Sequence, residues 1–306
     1  MTEGKTLSEG KIRADPPDGA DVVAERHGPV LLLRLNRPHR HNAVGGTMFR
    51  DLAGAFDEAG RDDGIHVVVT TGTADAFCVG ADVRDFDAVA HLPARELLVS
   101  ELIGGDKGLP SLSPGQRGLD ETGNAGRWTE RIWNLEKPTI AAVNGSAVGG
   151  GLAVALLHDI RFAARSARLG TGFAPAGLAP ELGLSYLLPR TVGLSAAAEL
   201  LFSARLLDAA QARELGLVSR ILDDDQLLSG AMELAQQIAA MPSGGLQWNK
   251  RLLRRAMDNT MSEQLRAEYS AQLALFDDPD TRAALDRLTR RVLRDGAKNS
   301  GGRETS

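Results

Sequence analysis

Short apolar segments alternate with helical patterns over the first two thirds of the chain, and this alternation most constrains the fold. Runs rich in Val, Ile, Leu and Ala are typical of buried strands, and they occupy residues 30–35, 66–71, 139–143 and 160–164. Apolar residues at helical spacing fill two of the intervals, over residues 48–60 and 152–157. A core that alternates strands with helices is an α/β core.

The last third of the sequence changes to helical patterns. Asp208 can cap a short helix that Gly216 ends, and residues 218–222 resemble an edge strand. Four further segments show helical spacing, at residues 226–241, 246–257, 262–276 and 281–293. The sequence therefore predicts a helical region after the α/β core.

These patterns divide the chain into three parts. Residues 1–20 are polar and are expected to form a disordered tail, residues 21–222 the core, and residues 223–306 a C-terminal helical region. In that region Leu285, Leu288 and Val292 form an apolar stripe, which a small appendage cannot bury alone. We therefore expect the C-terminal helices to mediate oligomerisation.

Residues 104–126 stand apart from both patterns. This span contains seven glycines and two prolines and shows no apolar period, so it predicts a long loop. Such a loop can be a lid over a binding site or an insertion without a role. Both interpretations stay open.

The amino-acid composition excludes several kinds of partner and site. The 35 Lys and Arg residues against 40 Asp and Glu give a net charge of −5, which produces no overall attraction for nucleic acid or an anionic membrane. No apolar run is long enough to span a bilayer. The single cysteine, Cys78, excludes an intramolecular disulfide framework and multi-cysteine metal sites. We expect a cytoplasmic protein that contains no metal.

Two glycine-rich turns each follow a predicted strand and lead into a helix, at residues 77–82 and 147–151. The first N–H groups of a helix lack partners, and the helix dipole adds partial positive charge there. Glycine has no Cβ, so a ligand oxygen can approach such groups closely. If the two turns face each other, they would hold one negatively charged oxygen between two N–H donors. This is the arrangement that stabilises an oxyanion or an enolate.

The same glycines fit a plainer interpretation, in which Gly149-Gly150-Gly151 only lets a helix pack closely on a strand.

Other glycine motifs are excluded. The chain has no G-x-G-x-x-G opening an early βαβ unit, no G-K-[ST] and no G-x-S-x-G. Cys78, beside the first turn, is expected to be a small core residue rather than a nucleophile.

Several stretches, in order and at matching spacing, resemble the enoyl-CoA hydratase/isomerase family, the crotonase superfamily. The clearest are AFCVGAD at residues 76–82 and KPTIAAVNGSAVGGG at residues 137–151. Further matches fall at residues 35–43, 158–161, 187–190 and 209–218. The resemblance spans roughly residues 22 to 295 and implies a spiral core of ββα turns. Its members are trimers, often paired into hexamers, that act on acyl-CoA thioesters in fatty acid metabolism.

The resemblance also implies roles for particular residues. The backbone N–H groups of Ala81 and Gly150 match the oxyanion hole for the thioester carbonyl. The residues matching the coenzyme A channel are His39, Arg40, His41, Val79, Asp82 and Val83. A guanidinium pairs well with phosphate, which suits Arg40 to that position. Coenzyme A enters as the carrier part of the substrate, and no separate cofactor is implied.

Two positions depart from the family's hydratases, which place one glutamate shortly after the glycine triplet and another about twenty residues later to hold the attacking water. Here those positions are Ala153 and Phe173. Neither side chain can accept a proton or orient water. Hydration by the usual pair of carboxylates is therefore not expected.

One carboxylate remains, because Glu181 matches the acid/base group of relatives resembling Δ3,Δ2-enoyl-CoA isomerases. The alternative is structural: Pro180 would begin a helix and Glu181 would be a favourable charge in its first turn. The dipole would then lower the pKa of Glu181, while desolvation by Phe173 and Leu178 would raise it. The sequence leaves both roles open.

Three functions follow. The leading hypothesis is an isomerase that moves a proton beside a thioester through Glu181, with an oxyanion hole at Ala81 and Gly150. The second is a hydratase, which would be a lyase, recruiting carboxylates such as Asp120, Glu121 or Glu130. The third is a relative that binds acyl-CoA without catalysis.

Overall fold

The computed structural model describes residues 8–9, 19–82 and 123–300, with side chains over 19–82 and 123–292. Val83, Asp120, Glu121 and most of the predicted loop at 104–126 lie outside the described residues. The chain forms two compact units, Met1–Ile238 and Ala239–Ser306. Each is described separately below.

Strands of the first unit form two sheets. In chain order they are β1 (Ser8–Glu9), β2 (Val22–His27), β3 (Val30–Leu35), β4 (Val67–Gly72), β5 (Ala76–Cys78), β6 (Thr139–Val143), β7 (Ser146–Val148), β8 (Ile160–Ala164), β9 (Arg168–Gly170), β10 (Leu207–Asp208) and β11 (Arg220–Leu222). The larger sheet has the order β1-β2-β3-β4-β6-β8-β11, and the smaller β10-β9-β7-β5. Strand β2 is antiparallel to β3, as expected for a hairpin, whereas β3, β4, β6, β8 and β11 are mutually parallel.

Helices cover the sheets in the first unit and make up the second. The first unit contains α1 (Met48–Arg61), α2 (Gly123–Trp133), α3 (Gly150–Leu156), α4 (Leu184–Val192), α5 (Leu194–Ser203), α6 (Ala209–Glu214) and α7 (Leu227–Ala239), which ends at the boundary. The second contains α8 (Ser243–Arg255), α9 (Met261–Asp277) and α10 (Pro279–Ser300). No helix in the described part of the chain is both long and apolar enough to cross a membrane.

The core lies where β-branched runs meet the buried faces of helices. Every residue of β3, β4 and β6 is buried, which is usual for parallel strands covered on both faces and explains their continuous apolar sequence. Helix α1 buries Leu52 and Phe56, and α2 buries Trp128 and Ile132. The predicted α/β architecture is confirmed.

Several predicted details are confirmed at single residues. Strand β11 pairs only with β8 and so forms the edge of the larger sheet. Asp208 caps α6 in a reciprocal capping box with Gln211, whose N–H donates to the carboxylate at 2.8 Å. Gly216 follows that helix with a φ of +80°, a conformation that glycine adopts without strain.

Three boundaries differ from the prediction. The loop expected over 104–126 ends earlier, because α2 begins at Gly123 despite its glycines. The apolar helix expected from residue 152 begins at Gly150. Within the tail expected to be disordered, Ser8–Glu9 pairs in parallel with β2.

Helix α7 belongs to the first unit, although the sequence analysis placed it with the C-terminal helices after residue 222. Leu227, Ala231 and Ala235 of this helix are almost fully buried. Gly230 approaches β11 so closely that a Cβ there would lie 2.6 Å from Leu222 Cδ1. The burial of this apolar face extends the first unit to Ile238.

Candidate active site

Two glycine turns touch at the centre of the first unit. Gly80, which follows β5, has a φ of +86°. A Cβ on this residue would lie 2.8 Å from Val148 O, closer than a side-chain carbon can approach, and 3.1 Å from Gly150 N, which is a tight contact. Only glycine therefore lets the turn after β5 meet the turn that opens α3.

The N–H group of Ala81 points away from Val44. Val44 forms an isolated parallel bridge with Ala81, in which the Val44 N–H donates to Gly80 O at 2.6 Å and the Asp82 N–H donates to Val44 O at 3.1 Å. Successive N–H groups of an extended segment point in opposite directions. The Ala81 N–H therefore lies on the side opposite Val44 and has no partner among the described residues.

At each position of the triplet, glycine is needed for a different physical reason. Gly149 makes the left-handed turn, with a φ of +59°, and its N–H donates to Gly170 O at 3.0 Å. Gly151 permits close packing, since a Cβ there would lie 1.8 Å from Cys78 O. The plainer interpretation of the triplet therefore holds for Gly151.

Gly150 between them is the first residue of α3, and its N–H has no hydrogen-bond partner in the described part of the chain. The turns of Gly80–Ala81 and Gly149–Gly150 thus place two unused backbone donors on touching surfaces. The positive end of the α3 helix dipole adds to the second donor. An arrangement of this kind can stabilise negative charge that develops on one oxygen atom.

A charged cluster holds the polar turn of residues 36–43 to the first of these turns. The Asp82 carboxylate lies 3.4 Å from Arg40 Nη1 and 3.5 Å from Arg37 Nη2. The guanidinium of Arg37 also donates to Ala43 O at 2.7 Å. Two of the residues predicted for a coenzyme A channel, Arg40 and Asp82, are therefore in contact, and Asp82 is buried between two arginines.

The other residues predicted for the coenzyme A channel do not belong to the cluster around Asp82. His39 is exposed and Val79 half-buried. The exposed ring of His41 faces Asp75, with Nδ1 3.5 Å from Oδ1. Val83 lies outside the described residues. The structure thus brings part of the predicted channel together around Asp82.

Asn42 connects the polar turn to the glycine turn, a role that the sequence analysis missed. It is fully buried. Its amide oxygen accepts from Arg37 N and its amide nitrogen donates to Thr73 O and Ala76 O, at 2.7 to 2.9 Å. Its φ is +56°, and the weak signal available in the sequence was the residue type, because asparagine tolerates the left-handed region better than most residues.

Glu181 lies on the loop before α4, and its neighbour Leu182 reaches the second turn. Leu182 Cδ1 lies 3.2 Å from the position of a Cβ on Gly150. The alternative that Glu181 sits in the first turn of a helix is wrong, because α4 begins at Leu184. Leu182 and Gly183 have φ values of +53° and +76°, which a right-handed helix cannot include.

The carboxyl group of Glu181 has no hydrogen bond or ion pair with any residue that the structure describes. The residue is open to solvent on one side, yet enough protein surrounds the carboxyl group that burial raises its pKa. Of the two opposing effects weighed from the sequence, desolvation therefore dominates. A carboxylate with a raised pKa is a better proton acceptor than an ordinary surface glutamate.

The positions that differ from hydratases are apolar in the structure as well. Ala153 is fully buried within α3, and Phe173 is 9% exposed. The Phe173 ring lies beside the second turn, with Cζ 4.0 Å from the position of a Cβ on Gly149. Leu178, expected to help desolvate Glu181, is 53% exposed.

The surroundings of Cys78 and the placement of possible metal ligands bear on two other kinds of chemistry, thiol nucleophilic catalysis and metal binding. Cys78 is fully buried, and this burial raises the pKa of its thiol to about 11, so the thiolate that a nucleophile needs is suppressed. Among the residues that the structure describes, no three His, Cys, Asp or Glu side chains cluster as metal ligands would.

Residues 25–96 and 117–292 match the model of the enoyl-CoA hydratase/isomerase family. One relative is a 1,2-epoxyphenylacetyl-CoA isomerase from Escherichia coli, 34% identical over 79% of this chain and 85% of its own length. Another is a short-chain-enoyl-CoA hydratase from Clostridium acetobutylicum, 28% identical over 91% of this chain and 98% of its own.

A solved structure shares the fold. The crystal structure of an enoyl-CoA hydratase/isomerase from Cupriavidus metallidurans has a TM-score of 0.76 and 30% identity, and covers 89% of this chain and 94% of its own. This similarity confirms the predicted fold class, a crotonase-like α/β core.

The state of Cys78 can be tested with a thiol reagent. We expect the native protein to react with 5,5′-dithiobis(2-nitrobenzoate) at pH 8 far more slowly than the protein unfolded in guanidinium chloride, because the thiol is buried and protonated. The chain has one cysteine, so the absorbance reports this site alone. Equal rates in the two states would contradict the buried position.

Proposed function

Because the chain belongs to the enoyl-CoA hydratase/isomerase family, we propose that it is an enoyl-CoA isomerase. Its relatives include both hydratases and an isomerase, so the chain is an enzyme of this family, and the proposal concerns the reaction. The substrate is an enoyl-CoA thioester, with coenzyme A as the carrier. The observation that carries the proposal is the Glu181 carboxyl, which has no partner among the described residues and lies on the loop whose Leu182 contacts Gly150, with Ala153 and Phe173 where hydratases have carboxylates.

The backbone donors would act on the thioester carbonyl. The N–H groups of Ala81 and Gly150 would donate to its oxygen, and the negative charge that develops there on proton loss would be stabilised more than the neutral carbonyl is. This difference lowers the barrier to forming an enolate. Both groups are fixed by the fold before substrate arrives, so little reorganisation is needed.

Glu181 would transfer the proton. In the ionised form it removes a proton from C2 of a 3-enoyl-CoA, and the electron pair is delocalised over the dienolate held in the oxyanion hole. The same carboxyl group then returns the proton to C4, which leaves the double bond between C2 and C3. No water is added, and the carboxylate is regenerated.

The polar turn would hold the coenzyme A portion. Arg40 is partly exposed, and its ion pair with Asp82 leaves further N–H donors that can pair with phosphate. Together with His39, His41, Val79 and Val83, this surface is the proposed coenzyme A channel. A cytoplasmic location belongs to the same proposal, since the chain has a single, buried cysteine.

A hydratase is the second candidate, and one observation favours it. Helix α2 borders the Glu181 loop, because Thr129 Cγ2 lies 3.9 Å from the position of a Cβ on Gly183. Glu130, the next residue, is exposed on that helix. A hydratase that used Glu130 would retain its activity when Glu181 is changed and lose it with Glu130→Gln.

The first test removes one oxyanion donor. Gly150→Pro deletes the N–H and should lower kcat roughly a hundred- to a thousandfold, the usual loss for one such donor. Gly150→Ala is the comparison variant, because it retains the N–H; its new Cβ would lie 3.2 Å from the flexible end of Leu182 and at an ordinary contact distance, 3.7 Å, from Gly80 Cα. Steady-state rates on a 3-enoyl-CoA measure both. Wild-type turnover in a folded Gly150→Pro variant would remove Gly150 from the oxyanion hole.

The second test addresses the base. Glu181→Gln keeps the shape of the side chain but cannot accept a proton, so kcat should fall roughly a hundred- to ten-thousandfold while acyl-CoA affinity changes little. In the wild type, kcat/KM should fall as pH is lowered through the pKa of Glu181, since the base must start ionised. Burial raises that pKa, so the acid limb should lie above the range of an ordinary glutamate.

The outcomes separate the hypotheses. Unchanged turnover by Glu181→Gln excludes the isomerase mechanism. If only the melting temperature falls, the role of Glu181 is structural. Loss of turnover with Glu130→Gln alone supports the hydratase.

We also propose that the enzyme is a trimer or a dimer of trimers. Leu285, Leu288 and Val292 are 41%, 58% and 61% exposed in the single chain, and a second apolar stripe runs along α9. Its members are Met261, Leu265, Tyr269, Leu273 and Phe276, all more than half exposed. Exposed stripes of this size are typical of association surfaces.

Sedimentation velocity tests the oligomer. We expect a trimer or hexamer at micromolar concentration, and a shift to smaller species for Leu288→Glu, which places a charge in the apolar stripe. Ala283→Glu adds the same charge to an exposed residue on the opposite face of α10 and should leave sedimentation unchanged. A wild-type monomer would contradict the proposal.

A further inference from the structure

Leu182 adopts a backbone conformation that leucine normally avoids. Its φ is +53°, and the following Gly183 also has a positive φ, of +76°. For a residue with a Cβ the left-handed region is sterically unfavourable, and glycine would occupy it without this cost. A leucine in this position therefore needs a compensating contact from its side chain.

The side chain makes that contact with the second glycine turn. Leu182 is 8% exposed. Its Cδ1 lies 3.2 Å from the position of a Cβ on Gly150, so it packs directly against the residue that carries one of the two unused N–H donors. The left-handed backbone turns the Leu182 side chain towards α3 rather than along the loop.

The same loop carries Glu181. The Leu184 N–H donates to Glu181 O at 3.0 Å, which closes a tight turn just before α4. On its other side the loop lies against α2 and α4, since a Cβ on Gly183 would lie 3.9 Å from Thr129 Cγ2 and 3.7 Å from Leu187 Cδ1. The loop is therefore held against α2 and α4 at Gly183, and Leu182 contacts α3 at Gly150.

We propose that Leu182 is a positioning residue, whose packing on Gly150 sets the distance between the Glu181 carboxyl group and the oxyanion hole. The inference rests on the proposed function, because it requires Glu181 to be the proton-transfer group. The raised pKa of Glu181 agrees with desolvation of its carboxyl group.

The proposal predicts a change in rate and in pH dependence. Leu182→Ala removes the contact, and we expect kcat to fall roughly ten- to a hundredfold, since a displacement of about 1 Å at a reacting group can cost this much. The KM should change less than kcat. The acid limb of kcat/KM should move to lower pH, because the carboxyl group becomes better solvated.

A double-mutant cycle separates positioning from general packing. In the Glu181→Gln background, Leu182→Ala should have little further effect on the residual rate, because the group that Leu182 positions is no longer a base. Leu182→Met restores a side chain of similar volume and should recover most of the activity. Leu227→Ala is the matched control, since this leucine is also buried, in α7, and is not among the nearest neighbours of Gly80, Gly149 or Gly150.

Each result is decisive. Should Leu182→Ala match Leu227→Ala in kcat and pH profile while Glu181→Gln is inactive, the inference alone fails. An undiminished effect of Leu182→Ala in the Glu181→Gln background would also overturn it, because Leu182 would then act on the oxyanion hole. Full turnover by Glu181→Gln removes the proposed function and the inference with it. Where Leu182→Ala does not fold, Leu182→Asn replaces it, as asparagine tolerates the left-handed region.

Discussion

The site depends on the close approach of two backbone corners, which glycine alone permits. The corners after β4 and β6 are pressed together, since a Cβ on Gly145 would lie 1.9 Å from Asp75 O. The turns that follow β5 and β7 are pressed together as well, since a Cβ on Gly80 would lie 2.8 Å from Val148 O. Asn42 and Asn144 hold the carbonyl of Ala76 between these corners, at 2.7 and 3.2 Å. Close packing and hydrogen bonds together fix the two N–H donors without any ligand.

The two backbone donors restrict the possible reactions less than the side chains around them do. Two fixed donors suit any reaction that passes through a thioester enolate, and the relatives include both a hydratase and an isomerase. What distinguishes this chain is the distribution of carboxyl groups beside the donors. Ala153 is fully buried and Phe173 nearly so, and neither can hold a water molecule. Glu181 has a raised pKa on a loop that contacts Gly150. A single proton-transfer group agrees better with moving a proton than with adding water.

The sequence allowed the strands, most helices and the glycine turns to be predicted, because apolar period and glycine placement are local signals. It left open a helix that begins at Pro180, which the structure excludes, because a leucine with a positive φ leaves no local signal. Helix α7 was assigned to the C-terminal region because its spacing shows only that one face is apolar, not which surface covers it. The buried partners of Asp82 and the hydrogen bonds of Asn42 to Thr73 and Ala76 depend on contacts between distant segments. Such contacts decide how the site is held, and periodicity does not reveal them.

The central claim is that the site shifts a double bond and does not add water. Its most direct test is the product formed from a 3-enoyl-CoA and, separately, from a 2-enoyl-CoA by the purified protein, identified by chromatography and mass spectrometry. The account predicts that the 3-enoyl-CoA is converted to the conjugated 2-enoyl-CoA of unchanged mass, with no hydrated product from either substrate. A 3-hydroxyacyl-CoA, heavier by one water, or the absence of any product from both substrates would contradict it.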